Sequence, residues 1–234
     1  MEMHDLSDSA QNYLKALWTL SEWSNMPVPL SKLAERLQLR PSSVSDQIRR
    51  LRTQGLVDHD PYGAVTLTPR GQAIALQMVR RHRLVETFLA QTLDYTWDEV
   101  HEDADRLEHA ISDRLLERLD KFLGSPQRDP HGDPIPGPDG TIATSLDESL
   151  AAVTPGSTVE ISRVRDADSA LLRHLADVGV TPGMQFTMLD QGLASGVLLL
   201  QPAGGAEGNN PGQPAVVPVN RDVANLIRVR LPEA

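Results

Sequence analysis

The sequence predicts a mainly α-helical chain that ends in a β-rich part, and three observations carry that prediction. Apolar residues recur at helical spacing over much of the stretch from about residue 7 to about residue 124, with one interruption by two short strand-like runs. A segment dense in proline and glycine, SPQRDPHGDPIPGPDG, follows. From residue 147 onward, short apolar runs separated by turn residues replace the long helical pattern.

Taken in order, Tyr13, Leu14, Leu17, Trp18 and Leu20 predict a helix over about 7–23, with Asp8 and Gln11 as its start signal. Pro27 and Pro29 break the chain, and LSKLAERLQL forms a second helix with Leu30, Leu33, Ala34 and Leu37 on one face. PSSVSDQIRRLRTQG opens with Pro41, which suits a first helical turn, and closes with Gly55. Val44, Ile48 and Leu51 are its buried stripe. Leu56–Val57 and Val65–Leu67 are strand candidates around a Pro-Tyr-Gly turn. Helix, helix, turn, helix and hairpin is the order of a winged helix-turn-helix, which places its recognition helix in the major groove of DNA. Arg40, Ser42, Ser43, Ser45, Asp46, Gln47, Arg49 and Arg50 are therefore the candidate DNA contacts. Arginines there suit phosphates, and the short polar side chains suit phosphate or base-edge hydrogen bonds.

A long helix is expected over about 72–94, through Ile74, Met78, Leu84, Val85, Phe88 and Leu89. Thr96 to Glu99 reads as a capping box that opens another helix running to about Gly124. Val100, Ala104, Leu107, Ile111, Leu115 and Leu119 exceed what one face of a minimal fold needs, which implies a helical interface in a homodimer. A dimer would set two recognition helices roughly one turn, about 34 Å, apart on a palindromic double-stranded operator. The Pro/Gly-rich segment is expected to be an extended connector. Beyond it, VEISRV, FTMLD, GVLLLQ, AVVPV and LIRVR are strands and LLRHLADVG a short helix, giving a small β-barrel with an inserted helix. GGAEGNNPGQP reads as a mobile loop. The expected domains are a DNA-binding domain at 1–75, a helical metal-binding and dimerisation domain at 76–124, a linker at 125–146 and the barrel at 147–234.

Composition narrows the class. Without cysteine there are no disulfides, thiolate metal sites or cysteine nucleophiles. No apolar run approaches the roughly 18–20 residues of a membrane span, and the start lacks a secretory signal, so a cytoplasmic protein without membrane contact is expected. The net charge of −10 is unevenly spread: residues 1–75 hold 8 basic and 8 acidic side chains, residues 76–124 hold 7 and 11, and residues 125–234 hold 7 and 13. The acidity thus lies outside the part expected to read DNA, and bound divalent cations would offset some of it.

The chemistry concentrates in six side chains. His82 and Glu86 are four apart, while His101, Asp105, Glu108 and His109 fall at i, i+4, i+7 and i+8 of the next segment, so each run faces one way on a helix. Any one of them alone reads as part of a solvated helix face. Six in register beside a DNA-reading element point to a metal-sensing transcription regulator.

RRHRLVETFL, VHEDADRLEHAISDRL and DPHGDPIPG resemble the diphtheria-toxin repressor family, which includes iron-dependent repressors and manganese-dependent regulators of actinobacteria and other bacteria. The resemblance covers most of the chain; beyond residue 147 it is one of pattern, similar to the small SH3-like barrel of ferrous-iron transport A proteins. It implies a primary metal site at Asn12, Asp105, Glu108 and His109. It also implies an ancillary site at His82, Glu86 and His101 with an acid from the barrel, Asp168 or alternatively Asp166. Iron-type members carry a methionine at the position of Asn12 and a cysteine at that of Asp105. Oxygen donors in both places favour Mn²⁺ over Fe²⁺, at two sites per subunit.

The function implied is a metal-activated repressor of metal-uptake genes, in which the cation joins the first helix to the helical dimer scaffold. Without it, the clustered carboxylates are expected to repel one another and release the DNA-reading head. A metalloenzyme using the same cluster is the competing class, but no HExxH or nucleophile motif accompanies it, so no enzymatic activity is expected. A winged-helix sensor of a small organic ligand has no supporting feature in the sequence.

Overall fold

The structure, a computed structural model, describes residues 3–24, 26–59, 63–143, 147–166, 168–189, 196–203 and 215–232. It divides into two compact units: Met1–Val85 with Ala104–Ser125 and Ile135–Ile142, and Glu86–Asp103 with Pro126–Pro134 and Ala143–Ala234.

The first unit opens with α1 (Asp8–Ser24), α2 (Leu30–Leu37) and α3 (Pro41–Thr53). The start of α1 differs from the expected Asp8/Gln11 signal. Ser7 is the cap, its hydroxyl accepting from the Ala10 amide at 3.3 Å, while the Gln11 side chain turns back to donate to the Met3 and Leu6 carbonyls. In α3, Pro41 occupies the first turn, Val44, Ile48 and Leu51 are buried, and Gly55 follows the helix at φ +71°. β1 (Val57–His59) and β2 (Val65–Leu67) form the antiparallel hairpin of the wing. Val28 extends it through a reciprocal backbone bridge to Val65. Pro61 and Tyr62 of the expected turn lie outside the described residues.

α4 (Pro69–Leu93) begins earlier than the expected residue 72 because the Thr68 hydroxyl caps it, accepting from the Gly71 amide at 3.1 Å. A Cβ on Gly71 would lie 1.9 Å from the Leu56 carbonyl oxygen, so glycine is what lets the helix start pass this close. The core of this unit joins Leu14, Leu17, Leu33, Ile48, Leu56 and Met78.

The single helix expected from Thr96 to Gly124 is two helices, α5 (Val100–Leu107) and α6 (Asp113–Phe122). Half of the expected capping box forms, the Thr96 amide donating to Glu99 at 3.3 Å. Ser112 then starts α6 by accepting from the Leu115 amide. Buried Arg81 fixes the break, donating to the Ile111 carbonyl and the Asp113 carboxylate. Glu108 and His109 therefore sit in a turn and not on a continuous helix face. Leu107, Leu115 and Phe122 leave large apolar side chains exposed at 42%, 47% and 68%, as a helical dimer interface would require.

The Pro/Gly-rich connector also departs from expectation, for much of it is buried. In the first unit, Ile135 and Pro136 are buried and the Pro136 carbonyl accepts from Arg80 at 2.7 Å. In the second unit, Asp129, His131 and Asp133 are buried polar residues. There the Asp129 carboxylate accepts from the His131 and Asp133 amides, both at 2.9 Å. Gly132, at φ +86°, passes so near the Ser162 carbonyl that a Cβ would lie 2.0 Å from it.

The second unit carries β3 (Glu148–Ser149), β4 (Thr158–Val164), α7 (Ser169–Asp177), β5 (Gln185–Met188), β6 (Val197–Pro202), β7 (Val217–Asn220), α8 (Arg221–Ala224) and β8 (Ile227–Arg230). The strands form one antiparallel sheet in the order β3-β8-β4-β5-β6-β7, where the sequence predicts a small β-barrel with an inserted helix; α7 is that helix and α8 a second, short one. Leu150, Ile161, Leu172, Phe186, Leu200 and Val229 make its core. The GGAEGNNPGQP loop lies outside the described residues. Among the described residues no helix is long and apolar enough to cross a membrane.

Candidate metal centres

The first cluster is built in the first unit from α1, α4, the end of α5 and the turn after it. α1 presents Gln11, Asn12 and Lys15 toward that turn. His109 lies between the two amides, with Nε2 2.9 Å from Asn12 Oδ1 and Nδ1 2.9 Å from Gln11 Oε1. A neutral imidazole donates from one nitrogen only, so one of these positions offers a lone pair to an amide NH₂ or to a cation. Glu108 is fully buried, with Oε2 2.6 Å from His82 Nδ1 and Oε1 3.4 Å from His109 Nε2. Asp105 approaches the same His82 nitrogen at 3.3 Å. Lys15 completes the group: its Nζ donates to Asp105 Oδ1 at 2.7 Å and to the two Glu108 oxygens at 2.7 and 2.8 Å. Burial pushes the Glu108 carboxyl up, but His82 and Lys15 beside it outweigh that and hold it below the usual carboxylate range. The expectation that these carboxylates repel one another is thus corrected: an ammonium lies among them.

The four residues that the resemblance assigns to a primary site, Asn12, Asp105, Glu108 and His109, are brought together here. His82, assigned to the ancillary set, also meets them. Ligand atoms of His82, Asp105 and Glu108 lie within 4.8 Å of one another. Carboxylate oxygens and an imidazole nitrogen gathered around a cationic head group, with the Asn12 amide oxygen against His109 beside them, fit a divalent cation.

The second cluster belongs to the second unit. His101 Nδ1 lies 3.2 Å from Glu86 and 2.9 Å from Asp166. Glu86, Asp129 and His131 form a buried triplet whose ligand atoms are within 4.8 Å of one another. His131 Nε2 donates to the Trp97 carbonyl at 2.6 Å, and its ring stacks on the Trp97 indole. That leaves Nδ1 as the nitrogen available to a ligand. Burial lowers the affinity of both imidazoles for a proton, yet the surrounding acids overcome it. His101 is raised to about 10 by Asp166 and Glu86, and His131 is raised by Glu86, Asp129 and Asp166. Asp166, although buried, is held down to about 2 by the two histidines. Asp168 is elsewhere: its carboxylate caps α7, accepting from the Ala170 amide at 2.8 Å. Of the two acids weighed from the sequence, Asp166 is the one against His101. From the sequence Gln11 reads only as a helix start signal and His131 as a loop residue, and Lys15 and Asp129 were not singled out. The run Asp129-Pro130-His131-Gly132, part of the DPHGDPIPG stretch that carries the resemblance, is the signal that could have flagged Asp129 and His131.

On α3, Ser42, Ser43, Asp46, Arg49 and Arg50 are exposed, Ser45 and Gln47 are half-buried, and Arg40 is exposed just before the helix. Arg49 is tied to Asp46 at 3.0 Å, which leaves Arg50 the better placed of the two for a phosphate.

Residues 5–65 match the family model of the iron-dependent repressor N-terminal DNA-binding domain. Residues 68–137 match that of its metal-binding and dimerisation domain, and residues 148–231 match the FeoA domain. The chain is 32% identical to the iron-dependent repressor IdeR of Mycobacterium leprae over 86% of this chain and 91% of that protein. It is 30% identical to the diphtheria toxin repressor of Corynebacterium glutamicum over 81% and 87%. Among solved structures, a manganese-dependent transcriptional repressor in complex with manganese superposes with a TM-score of 0.86 at 46% identity, covering 94% of this chain and 98% of that one. The manganese regulator SloR gives a TM-score of 0.77 at 31% identity over 95% and 98%. With a winged helix, a helical ligand-bearing segment and a FeoA-type β-domain in that order, the chain belongs to the diphtheria-toxin repressor family of metal-dependent transcriptional repressors.

Proposed function

We propose that this protein is a manganese-activated repressor that binds a palindromic operator as a homodimer and restrains metal-uptake genes in the cytoplasm. Asn12, Asp105, Glu108 and His109 hold the activating ion, and Glu86, His101 and Asp166, with Asp129 and His131, hold a second. Residues 1–75 act as the reading head and residues 76–124 as the scaffold.

The observation that carries the reading is the donor set of the first cluster. It joins α1 of the winged helix to the α5–α6 turn through Asn12–His109 and Lys15–Glu108, and the ligand atoms it offers a metal are oxygen and imidazole nitrogen, in a chain that has no cysteine. Such donors suit Mn²⁺, whereas sulfur donors favour later transition metals. Similarity to a repressor solved with manganese supports the same choice. A divalent cation bound there would take over the carboxylate oxygens that the Lys15 ammonium holds and would add ligation by His109 and Asn12. The chain's own part is positional: Arg81 fixes the turn that carries Glu108 and His109, and Asn12 brings the first helix to that turn. Moving a two-state head from about 1:99 to 99:1 needs roughly 10⁴-fold preference for the competent state, about 5.5 kcal/mol. Two ions per chain can supply that by mass action. The iron-dependent relatives keep Fe²⁺ as the second reading.

A mobility shift on a palindromic promoter fragment tests both, comparing EDTA, Mn²⁺, Fe²⁺ under reducing conditions and Zn²⁺. Retardation with Mn²⁺ at concentrations where Fe²⁺ is ineffective is expected. Binding indifferent to EDTA would defeat the metal-activated reading. On the same fragment Arg50→Ala should weaken binding to all sequences and flatten the salt dependence by about one unit of slope.

A further inference from the structure

The first cluster contains a cation of the protein's own. Lys15 reaches from α1 with its ammonium 2.7 Å from Asp105 Oδ1 and 2.7 and 2.8 Å from the two Glu108 oxygens. Its side chain is 13% exposed, and that of Glu108 is wholly buried. The chain has three lysines, and Lys32 pairs with Glu35 on an exposed helix face in the ordinary way. Lys15 differs in that its ammonium sits among three carboxylate oxygens, with His82 Nδ1 3.3 Å away as a fourth neighbour, which is how a cation site is built.

We propose that Lys15 is a tethered counter-cation that competes with the divalent ion for Glu108 and Asp105, and so sets the metal concentration at which the repressor responds. The inference rests on reading this cluster as the metal site. In the metal-free protein the ammonium compensates the buried Glu108 charge, which is costly to leave uncompensated. It also bridges α1 to the α5–α6 turn. A divalent ion that takes these oxygens must take them from Lys15, since two cations side by side on the same carboxylates repel. A lysine suits such a role better than an arginine. It is a compact point charge on a flexible stem and can withdraw toward solvent without breaking a bidentate fork. The outcome is an exchange of one cation for another, so the net affinity for metal is lower than the same ligands would give alone.

The test uses the full-length dimer, titrated calorimetrically with MnCl₂, with melting curves in EDTA. Lys15→Met should bind Mn²⁺ at the Asp105-dependent site at least tenfold more tightly, about 1.4 kcal/mol. It should also melt at a lower temperature than the wild type when metal-free, and gain more from added Mn²⁺. Lys15→Arg should stay near the wild-type affinity. Lys15→Gln, which leaves Glu108 a hydrogen-bond donor, carries the same expectation as Lys15→Met should the latter not fold. Affinity unchanged or weakened in the neutral variants, while Asp105→Ala still removes the site, overturns the role of Lys15 alone. Mn²⁺ binding that Asp105→Ala leaves intact overturns the site assignment beneath it.

Discussion

The two candidate clusters share carboxylates and imidazoles and balance their charge in different ways. In the first, Asp105 and Glu108 are offset by the His82 ring together with the Lys15 ammonium carried on α1, and His109 is engaged by neutral amides. In the second, Glu86, Asp129 and Asp166 face the rings of His101 and His131, whose proton affinity those acids raise. The first cluster therefore involves the winged-helix portion of the chain directly, through three residues of one helix. The second gathers Glu86, Asp129 and Asp166 with two histidines and has its own internal counter-charge. A switch that couples ion binding to DNA binding is expected at the first, and a supporting site at the second.

The largest effect should follow from breaking the first cluster. Asp105→Ala or His109→Ala should abolish Mn²⁺-dependent operator retardation, a loss of at least tenfold in operator affinity at saturating metal, about 1.4 kcal/mol or more. The dimer should persist in sedimentation, because neither side chain belongs to the buried apolar core. A variant that still responds to Mn²⁺ would remove the distinction between the clusters. Breaking the second should do less. Glu86→Gln is expected to lower the metal content from two ions to one per chain by elemental analysis. It should leave operator binding intact, with the response moved to Mn²⁺ concentrations less than about tenfold higher. Complete loss of activation in Glu86→Gln would reverse the roles assigned to the clusters.

How much of this was legible in the sequence follows from how local each signal is. α1 to α4 and the wing were readable because apolar spacing, Pro41 and Gly55 act within a few residues of themselves. The α5–α6 break was not, since Leu107, Ile111 and Leu115 continue a helical spacing straight across it. The Ser112 cap and the buried Arg81 override that spacing. The connector misled for a related reason. Proline and glycine content describes a chain without helix or strand, and it says nothing of Asp129 gathering the His131 and Asp133 amides and burying all three residues. The residues proposed as primary ligands are the ones the resemblance implies, but Lys15 was not legible. Its partners are 90 and 93 positions away, and in sequence it is one polar residue on an amphipathic helix.

The smallest expected effect separates two aspartates that stand two positions apart. Asp166 lies against His101 and is held near a pKa of about 2 by the histidines around it, whereas Asp168 spends its carboxylate on the α7 amide of Ala170. Asp166→Asn should weaken the second ion's binding, measured by Mn²⁺ titration of the Asp105→Ala background, where the first site no longer contributes. Asp168→Ala should leave that titration unchanged and destabilise the protein by about 1 kcal/mol, the usual cost of losing a helix N-cap. The two variants thus dissociate metal affinity from stability within one short loop. If Asp168→Ala were the one to weaken the second ion, the loop would have to rearrange on binding, and the present pairing of Asp166 with His101 would be a feature of the metal-free protein alone.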